Sequence, residues 1–176
     1  MNYIFLSTGF EEIEALATVD VMRRAELPIC MVSVEAEKTV VGAHQIPVVA
    51  DAQFAACNFA DADMLILPGG STRLMEFPEL GELLRQHHVA HKPLAAICAA
   101  PSVLGVLGIL HGERATCYPG FEHFLGDSHV GGRVVVSHHI ITANGPGTAV
   151  DFALQIVATL RGEATANAVR QAMLIV

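Results

Sequence analysis

Residues 93–101, Pro-Leu-Ala-Ala-Ile-Cys-Ala-Ala-Pro, constrain this chain more than any other stretch. The short apolar run at 94–97 reads as a buried strand, and it stops abruptly at a cysteine. Ala99-Ala100-Pro101-Ser102-Val103-Leu104 then reads as the first turn of a helix, where proline is tolerated because its missing N–H would have no partner. A reactive side chain on a sharp strand-to-helix turn is a nucleophile elbow. Such a turn needs small residues two before and two after the nucleophile, and Ala96 and Ala100 supply them. At a helix N-terminus the dipole and unpaired N–H groups favour thiolate over thiol at Cys98. The plain alternative is a core cysteine, because free cysteine is among the most buried residue types. The stretch alone does not separate the two.

Composition narrows the class of protein. The chain has 176 residues, 52% of them hydrophobic, only 16% charged, and no tryptophan. That suits one α/β domain over residues 1–176 with a buried sheet, and it excludes a disordered chain. The net charge of −8 and the scatter of Lys and Arg, adjacent only at Arg23-Arg24, argue against nucleic acid as a partner. No apolar run reaches the roughly 18–20 residues of a membrane span. The first residues lack a basic segment and turn polar too soon for a signal peptide, so they read as the first strand of the fold. Cys30, Cys57, Cys98 and Cys117 are widely spaced with no C-x-x-C, which predicts free thiols in a reducing cytoplasm.

Along the chain, strand and helix patterns alternate. Residues 2–7 form an apolar β-rich run closed by Thr8-Gly9. Residues 11–25 read as a helix with Ile13, Leu16, Ala17, Val21 and Ala25 as its core-facing stripe. Glu14 lies one turn above Ala17 and Val21, so it is placed to point partly inward, where an unpaired carboxylate would tend to protonate. Residues 28–34 read as a second strand, 39–49 as a hairpin, and 51–60 as a stretch with a short helix. Met64-Leu65-Ile66-Leu67 is a continuous apolar strand, as a sheet covered on both faces requires, and it runs into Pro68-Gly69-Gly70. A helix at 77–92, the elbow, short strands at 114–117, 133–137 and 140–143, a helical turn at 121–125, and helices at 149–160 and 164–174 complete the pattern.

This alternation predicts a doubly wound, mostly parallel sheet sandwiched by helices. Ligands bind such sheets at the carboxyl ends of the strands. The turn at 8–14, Gly69-Gly70 and Cys98 all fall at that edge, which favours a functional Cys98 over a core one. Gly-Gly there lets backbone approach a ligand closely and offers N–H donors.

With these residues in place a resemblance is visible. Glu11-Glu12-Ile13-Glu14, Asp20-Val21-Met22-Arg23-Arg24-Ala25, Leu67-Pro68-Gly69-Gly70, Ala95-Ala96-Ile97-Cys98-Ala99-Ala100-Pro101 and Gly145-Pro146-Gly147-Thr148 resemble, in order, the motifs of the ThiJ/PfpI superfamily. Within it the chain is most similar to the branch of the parkinsonism-associated protein deglycase and bacterial YajL. The resemblance implies a flavodoxin-like fold, a homodimer, an oxidation-prone elbow cysteine, and a Glu14 carboxyl facing the Cys98 sulfur. A protonated Glu14 donating to the thiolate would lower the cysteine pKa and raise its own. It would also favour a sulfinate over further oxidation. The N–H groups of Gly69 or Gly70 and of Ala99 would form an anion site.

Two departures matter. The parkinsonism-associated relative carries histidine where this chain has Tyr118, and an arginine in its hairpin corresponds to His44. PfpI-type peptidases place a histidine directly after the cysteine, where this chain has Ala99. Neither Ala99 nor Tyr118 can serve as a base, which argues against a Cys–His protease or amidotransferase. Tyr118, His44 and Thr148 are candidates to line the pocket. His87, His88 and His91 read as solvated surface residues and His138-His139 as an exposed turn, so no metal site and no cofactor are expected. Cys30 and Cys117 read as core residues, and Cys57 has no evident partner. The expected activity is glyoxalase- or deglycase-type chemistry on a small aldehyde such as methylglyoxal, or on its early glycated adducts. An alternative is a redox-responsive stress protein or chaperone acting through Cys98. A third reading, a thiamine-pathway role, rests only on the superfamily label.

Overall fold

The computed structural model describes residues 1–175. Its main sheet has seven strands: β1 (Asn2–Leu6), β2 (Ile29–Ser33), β5 (Ala52–Gln53), β6 (Met64–Leu67), β7 (Leu94–Ile97), β8 (Val134–Ser137) and β9 (Ile140–Ala143). Their order is β5-β2-β1-β6-β7-β9-β8, all pairs parallel except β8–β9. Strands β3 (Thr39–Val41) and β4 (Pro47–Val49) form a separate antiparallel hairpin.

The continuous apolar runs are explained by burial on both faces. Along β1, Ile4 and Leu6 enter one core while Tyr3 and Phe5 enter the other. In β6, Met64 and Ile66 part from Leu65 and Leu67 in the same way. Helices α1 (Glu12–Arg24), α5 (Ala149–Arg161) and α6 (Glu163–Ala172) close the first face, with Met22, Phe152, Ile156 and Val169 in its core. Helices α2 (Pro78–Val89), α3 (Pro101–Val106) and α4 (Glu122–Leu125) close the second, with Leu80, Leu84, Val103 and Leu125. The result is a flavodoxin-like sandwich. Among the described residues no helix is long and apolar enough to cross a membrane.

Five local expectations are corrected. The inward stripe of α1 is built on Ala15, Thr18, Val19 and Met22 together with Val21 and Ala25, while Ile13 is 58% and Leu16 38% exposed. The helix is rotated because burying Glu14 and packing on α5 takes precedence over burying Ile13 and Leu16. Residues 114–117 form no strand, only a bridge between Ala115 and His129, because the Thr116 N–H is taken by the Thr142 hydroxyl at 2.9 Å. The short helix expected within 51–60 is β5 followed by a single 3₁₀ turn, Phe54–Ala56. His87 is buried, its Nε2 3.1 Å from the Pro93 carbonyl oxygen, and burial pushes its pKa down to about 4. His88 and His139 are likewise drawn together, Nδ1 to Nε2 3.0 Å, rather than standing free in solvent.

Candidate active site

Cys98 sits between β7 and α3 with φ of +64°, a left-handed conformation that a non-glycine residue adopts only where its surroundings impose it. Two backbone hydrogen bonds impose it here. The Cys98 N–H donates to the Ala143 carbonyl at the end of β9 (2.8 Å), and the Cys98 carbonyl accepts from the Tyr118 N–H (2.8 Å). The side chain is buried, 8% of the residue remaining exposed at the carboxyl edge of the sheet.

Glu14, in the first turn of α1, is fully buried. One carboxyl oxygen, Oε2, accepts from the Gly69 N–H at 2.7 Å. The other, Oε1, has no hydrogen-bond partner among the described residues, and Cys98 flanks the carboxyl across Gly69, close enough for each group to shift the other's titration. The two glycines have separate duties. A Cβ on Gly69 would lie 2.5 Å from Cys98 Cβ and 2.7 Å from Glu14 Oε2, so only glycine lets the strand end between them. Gly70 has φ of +94°, a Cβ there would lie 2.6 Å from the Glu11 nitrogen, and its N–H donates to the Cys98 sulfur as does that of Ala99. Backbone bonds from Glu11 N–H to the Gly69 carbonyl and from Ser71 N–H to the Gly9 carbonyl, each 2.9 Å, lash the turn before α1 to this loop.

The electrostatics reverse one expectation. Burial pushes Glu14 up to about 7, with the Cys98 and Gly69 hydrogen bonds pulling the other way. Burial also pushes the Cys98 thiol up to about 12, and an ionised Glu14 adds to the rise; the Gly70 and Ala99 N–H groups only partly offset it. The anticipated depression by the helix dipole is absent because α3 has just six residues and the sulfur is desolvated. The repulsion from Glu14 exists only while Glu14 is ionised. Moving one proton from sulfur to carboxyl removes it, leaving a neutral Glu14 as donor and a thiolate held by two backbone N–H groups. Above about pH 7 the pair holds one proton, which rests on sulfur, and its nucleophilic form requires transfer of that proton to the carboxyl.

The other candidates lie further from the chemistry or are held by structural bonds. His44 is bonded through Nδ1 to Glu12 Oε2 at 2.9 Å, with Glu11 Oε2 at 3.6 Å, and those carboxylates raise its pKa. Glu11, Glu12 and His44 bring three potential ligand atoms within 4.8 Å of one another. Both Glu12 oxygens are already accepting, from the His44 N–H and the His44 ring. The buried Thr148 hydroxyl donates to the Gly145 carbonyl at 2.7 Å and thereby closes a turn. Tyr118 is 45% exposed and its ring covers Gly145, so it rims the site without supplying a base. A cavity of about 590 Å³ between Gly105, Leu110, Phe124 and Ser128 is lined by none of these residues. The clamps on the Cys98 backbone, from Ala143 and Tyr118, were not legible in the sequence because main-chain partners carry no residue signature.

Glu14 also makes a stability prediction. Below about pH 4.5 its carboxyl is protonated whether the chain is folded or not. Between there and about 7 the unfolded chain releases a proton that the folded chain retains, so stability falls as pH rises, and above about 7 the loss is constant. Glu14→Gln, which stays neutral, is expected to gain stability over the parent at about pH 8, by up to about 3 kcal/mol, and nothing at about pH 4. Urea unfolding of both proteins at the two pH values measures it; an equal difference at both pH values rules it out.

Comparison with known proteins identifies the family and the fold. The chain is 33% identical to Protein dj-1beta of Drosophila melanogaster over 178 residues, covering 98% of this chain and 95% of that protein. It is 38% identical over 164 residues to the Glutathione-independent glyoxalase DJR-1.2 of Caenorhabditis elegans, covering 89% and 86%. Against Protein DJ-1 homolog B of Arabidopsis thaliana it is 35% identical over 162 residues, 89% of this chain but only 37% of that longer protein. Among solved structures, oxidized Toxoplasma gondii DJ-1 superposes with a TM-score of 0.95 at 33% identity, covering 98% and 97% of the two chains. The profile of the DJ-1/PfpI family matches residues 2–159, and with these relatives it establishes that the chain belongs to the DJ-1/PfpI family.

Proposed function

We propose that the protein is a cofactor-independent glyoxalase or deglycase that converts methylglyoxal, or its early adducts with amines and thiols, to lactate. The observation that carries this is a fully buried Glu14 carboxyl facing the elbow cysteine across Gly69, at the carboxyl edge of the sheet. A glyoxalase among the relatives lends support. The Cys98 thiolate attacks the aldehyde carbon, a C–S bond forms, and the oxygen takes the proton from Glu14. The Glu14 carboxylate then removes the hydrogen from that carbon and returns it to the neighbouring one, while the hydroxyl proton passes to the neighbouring carbonyl oxygen, which turns the hemithioacetal into the thioester of lactate. Water adds to the thioester, the C–S bond breaks, and lactate leaves with the sulfur again bearing its proton. The Gly70 and Ala99 N–H groups face the charge at the start and end of this sequence. Incubation with methylglyoxal and enzymatic assay of lactate is expected to show turnover that falls at least about a hundredfold in Cys98→Ser and in Glu14→Gln. Unchanged lactate production by Cys98→Ser defeats the proposal.

A second reading, in which Cys98 senses oxidants, is favoured by the same donors. A sulfinate there would accept from Gly70, Ala99 and a neutral Glu14, a fit that a larger sulfonate would exceed. Mild peroxide followed by peptide mass spectrometry should find two oxygen atoms added at Cys98 before any at Cys117. Loss of that order in the parent protein speaks against sensing.

The exposed apolar face of α1 supports pairing with a second copy, and the proposed reading includes a cytoplasmic setting and a small-molecule substrate. Ile13 (58% exposed) and Leu16 (38%) stand outward on α1, and Ile46 (51%) on the hairpin is tied to it through Glu12. Sedimentation of Ile13→Glu is expected to yield monomer where the parent is dimer; a dimeric Ile13→Glu moves the interface elsewhere.

A further inference from the structure

Two thiols outside the site just described form a pair that their spacing in the sequence concealed. Cys30 lies on β2, directly opposite Tyr3 of β1, and Cys57 follows the 3₁₀ turn that leaves β5. Strand β5 is paired to β2 through Val32–Ala52 and Ser33–Gln53, which brings residue 57 back over the face where Cys30 stands. Both side chains pack against the same core, beside Phe54 and Phe59. The Cys57 thiol donates to the Gln53 carbonyl at 3.4 Å and the Cys30 thiol to the Met31 carbonyl at 3.8 Å, and the two sulfurs are near enough for each to shift the other's titration. Neither is sealed from solvent; each is only half-buried. Cys30 is thus not the core residue the sequence suggested, and Cys57 has a partner.

We propose that Cys30 and Cys57 close a reversible intramolecular disulfide when the protein meets a hydroperoxide, forming a second oxidation site independent of Cys98. The two thiols are unequal, which sets their order of action. Burial and the neighbouring Cys57 push Cys30 up to about 11. Burial raises Cys57 too, but the neighbouring Cys30 thiol and the Lys38 ammonium favour its thiolate. Cys57 therefore attacks first. Its thiolate bonds to one peroxide oxygen, the O–O bond breaks, and the departing hydroxide (or alkoxide) takes a proton. The Cys30 sulfur, on the same face beside it, attacks the sulfenic sulfur of Cys57, the S–S bond forms, and water leaves with the Cys30 proton. Two thiols and one hydroperoxide give one disulfide and two molecules of water or its alcohol equivalent. Because the attacking thiol is mostly protonated at neutral pH, the cross-link should form about tenfold faster for each unit by which pH is raised while it stays below the Cys57 pKa.

The test uses the full-length protein and Cys98→Ser, reduced and then treated with hydrogen peroxide at about pH 7 and about pH 8. Non-reducing peptide mass spectrometry is expected to find the Cys30 and Cys57 peptides joined and short of two hydrogen atoms in both proteins. Dithiothreitol should restore both thiols. The linked species should be absent from Cys57→Ser, and Cys98→Ser should lose two titratable thiols. The proposal is overturned if Cys30 and Cys57 each stay open to alkylation while Cys98 oxidises, or if either gains oxygen without linking. It is also overturned if their only disulfides join separate chains. None of these outcomes depends on lactate formation, so the glyoxalase reading stands or falls separately.

Discussion

A carboxyl group sealed from water beside a sulfur is the constraint on which the rest of this site depends. Glu14 has no solvent to stabilise its charge, one backbone donor in Gly69, and otherwise only the Cys98 thiol. An ionised carboxylate in such a place would impose a penalty that only a strong partner offsets, so the group rests near neutrality with its proton available. That single fact decides the register of α1. The helix turns Glu14 inward and leaves Ile13 and Leu16 outside, contrary to what hydrophobicity alone would choose. Ile13 and Leu16 are left out of this chain's own core while the acid reaches the cysteine.

The backbone around the pair is tailored to the same end. Cys98 holds a left-handed conformation that an isolated chain would avoid, at a cost of order 1–3 kcal/mol, and main-chain bonds on both sides of it keep it there. Those bonds come from the last residue of β9 and from the segment before α4, so distant parts of the chain must be in place before the elbow is formed. Gly69 and Gly70 are required for different reasons, one because the sulfur and carboxyl crowd it, the other because the turn before α1 presses on it with φ positive. Strain and crowding are concentrated within these few residues, where orientation matters most, while the sheet beneath is regular.

Much of this was readable from the residues. Continuous apolar runs at 64–67 and 94–97 announced strands buried on both faces, and the small residues around Cys98 announced the elbow. The clustering of Gly69-Gly70 and the Glu14 turn with Cys98 followed from strand order alone. What was not readable has a common cause. The direction of the Cys98 pKa shift depends on desolvation and on a partner's protonation, neither of which a motif records. The burial of His87, the bond between His88 and His139, and the commitment of His44 to Glu12 depend on loops folding back. Cys30 and Cys57 were invisible as a pair because the contact is made by a short edge strand, β5, too brief to leave a periodic signal.

The two sulfur environments show how one fold can hold cysteines of different use. Cys98 faces an acid and two backbone N–H groups, a setting that stabilises charge on sulfur or on oxygens bound to it. Oxidation there favours the path through added oxygen, or the thiolate adds to carbon. Cys30 and Cys57 instead neighbour each other and a lysine, a setting that favours a sulfur–sulfur bond. Which path a thiol takes is set by whether its nearest hydrogen-bonding neighbour is an oxygen acid or another sulfur. In this chain the carboxyl edge of the sheet supplies the first and its β5 border the second, and the distance between them across the sheet lets the two operate without exchange.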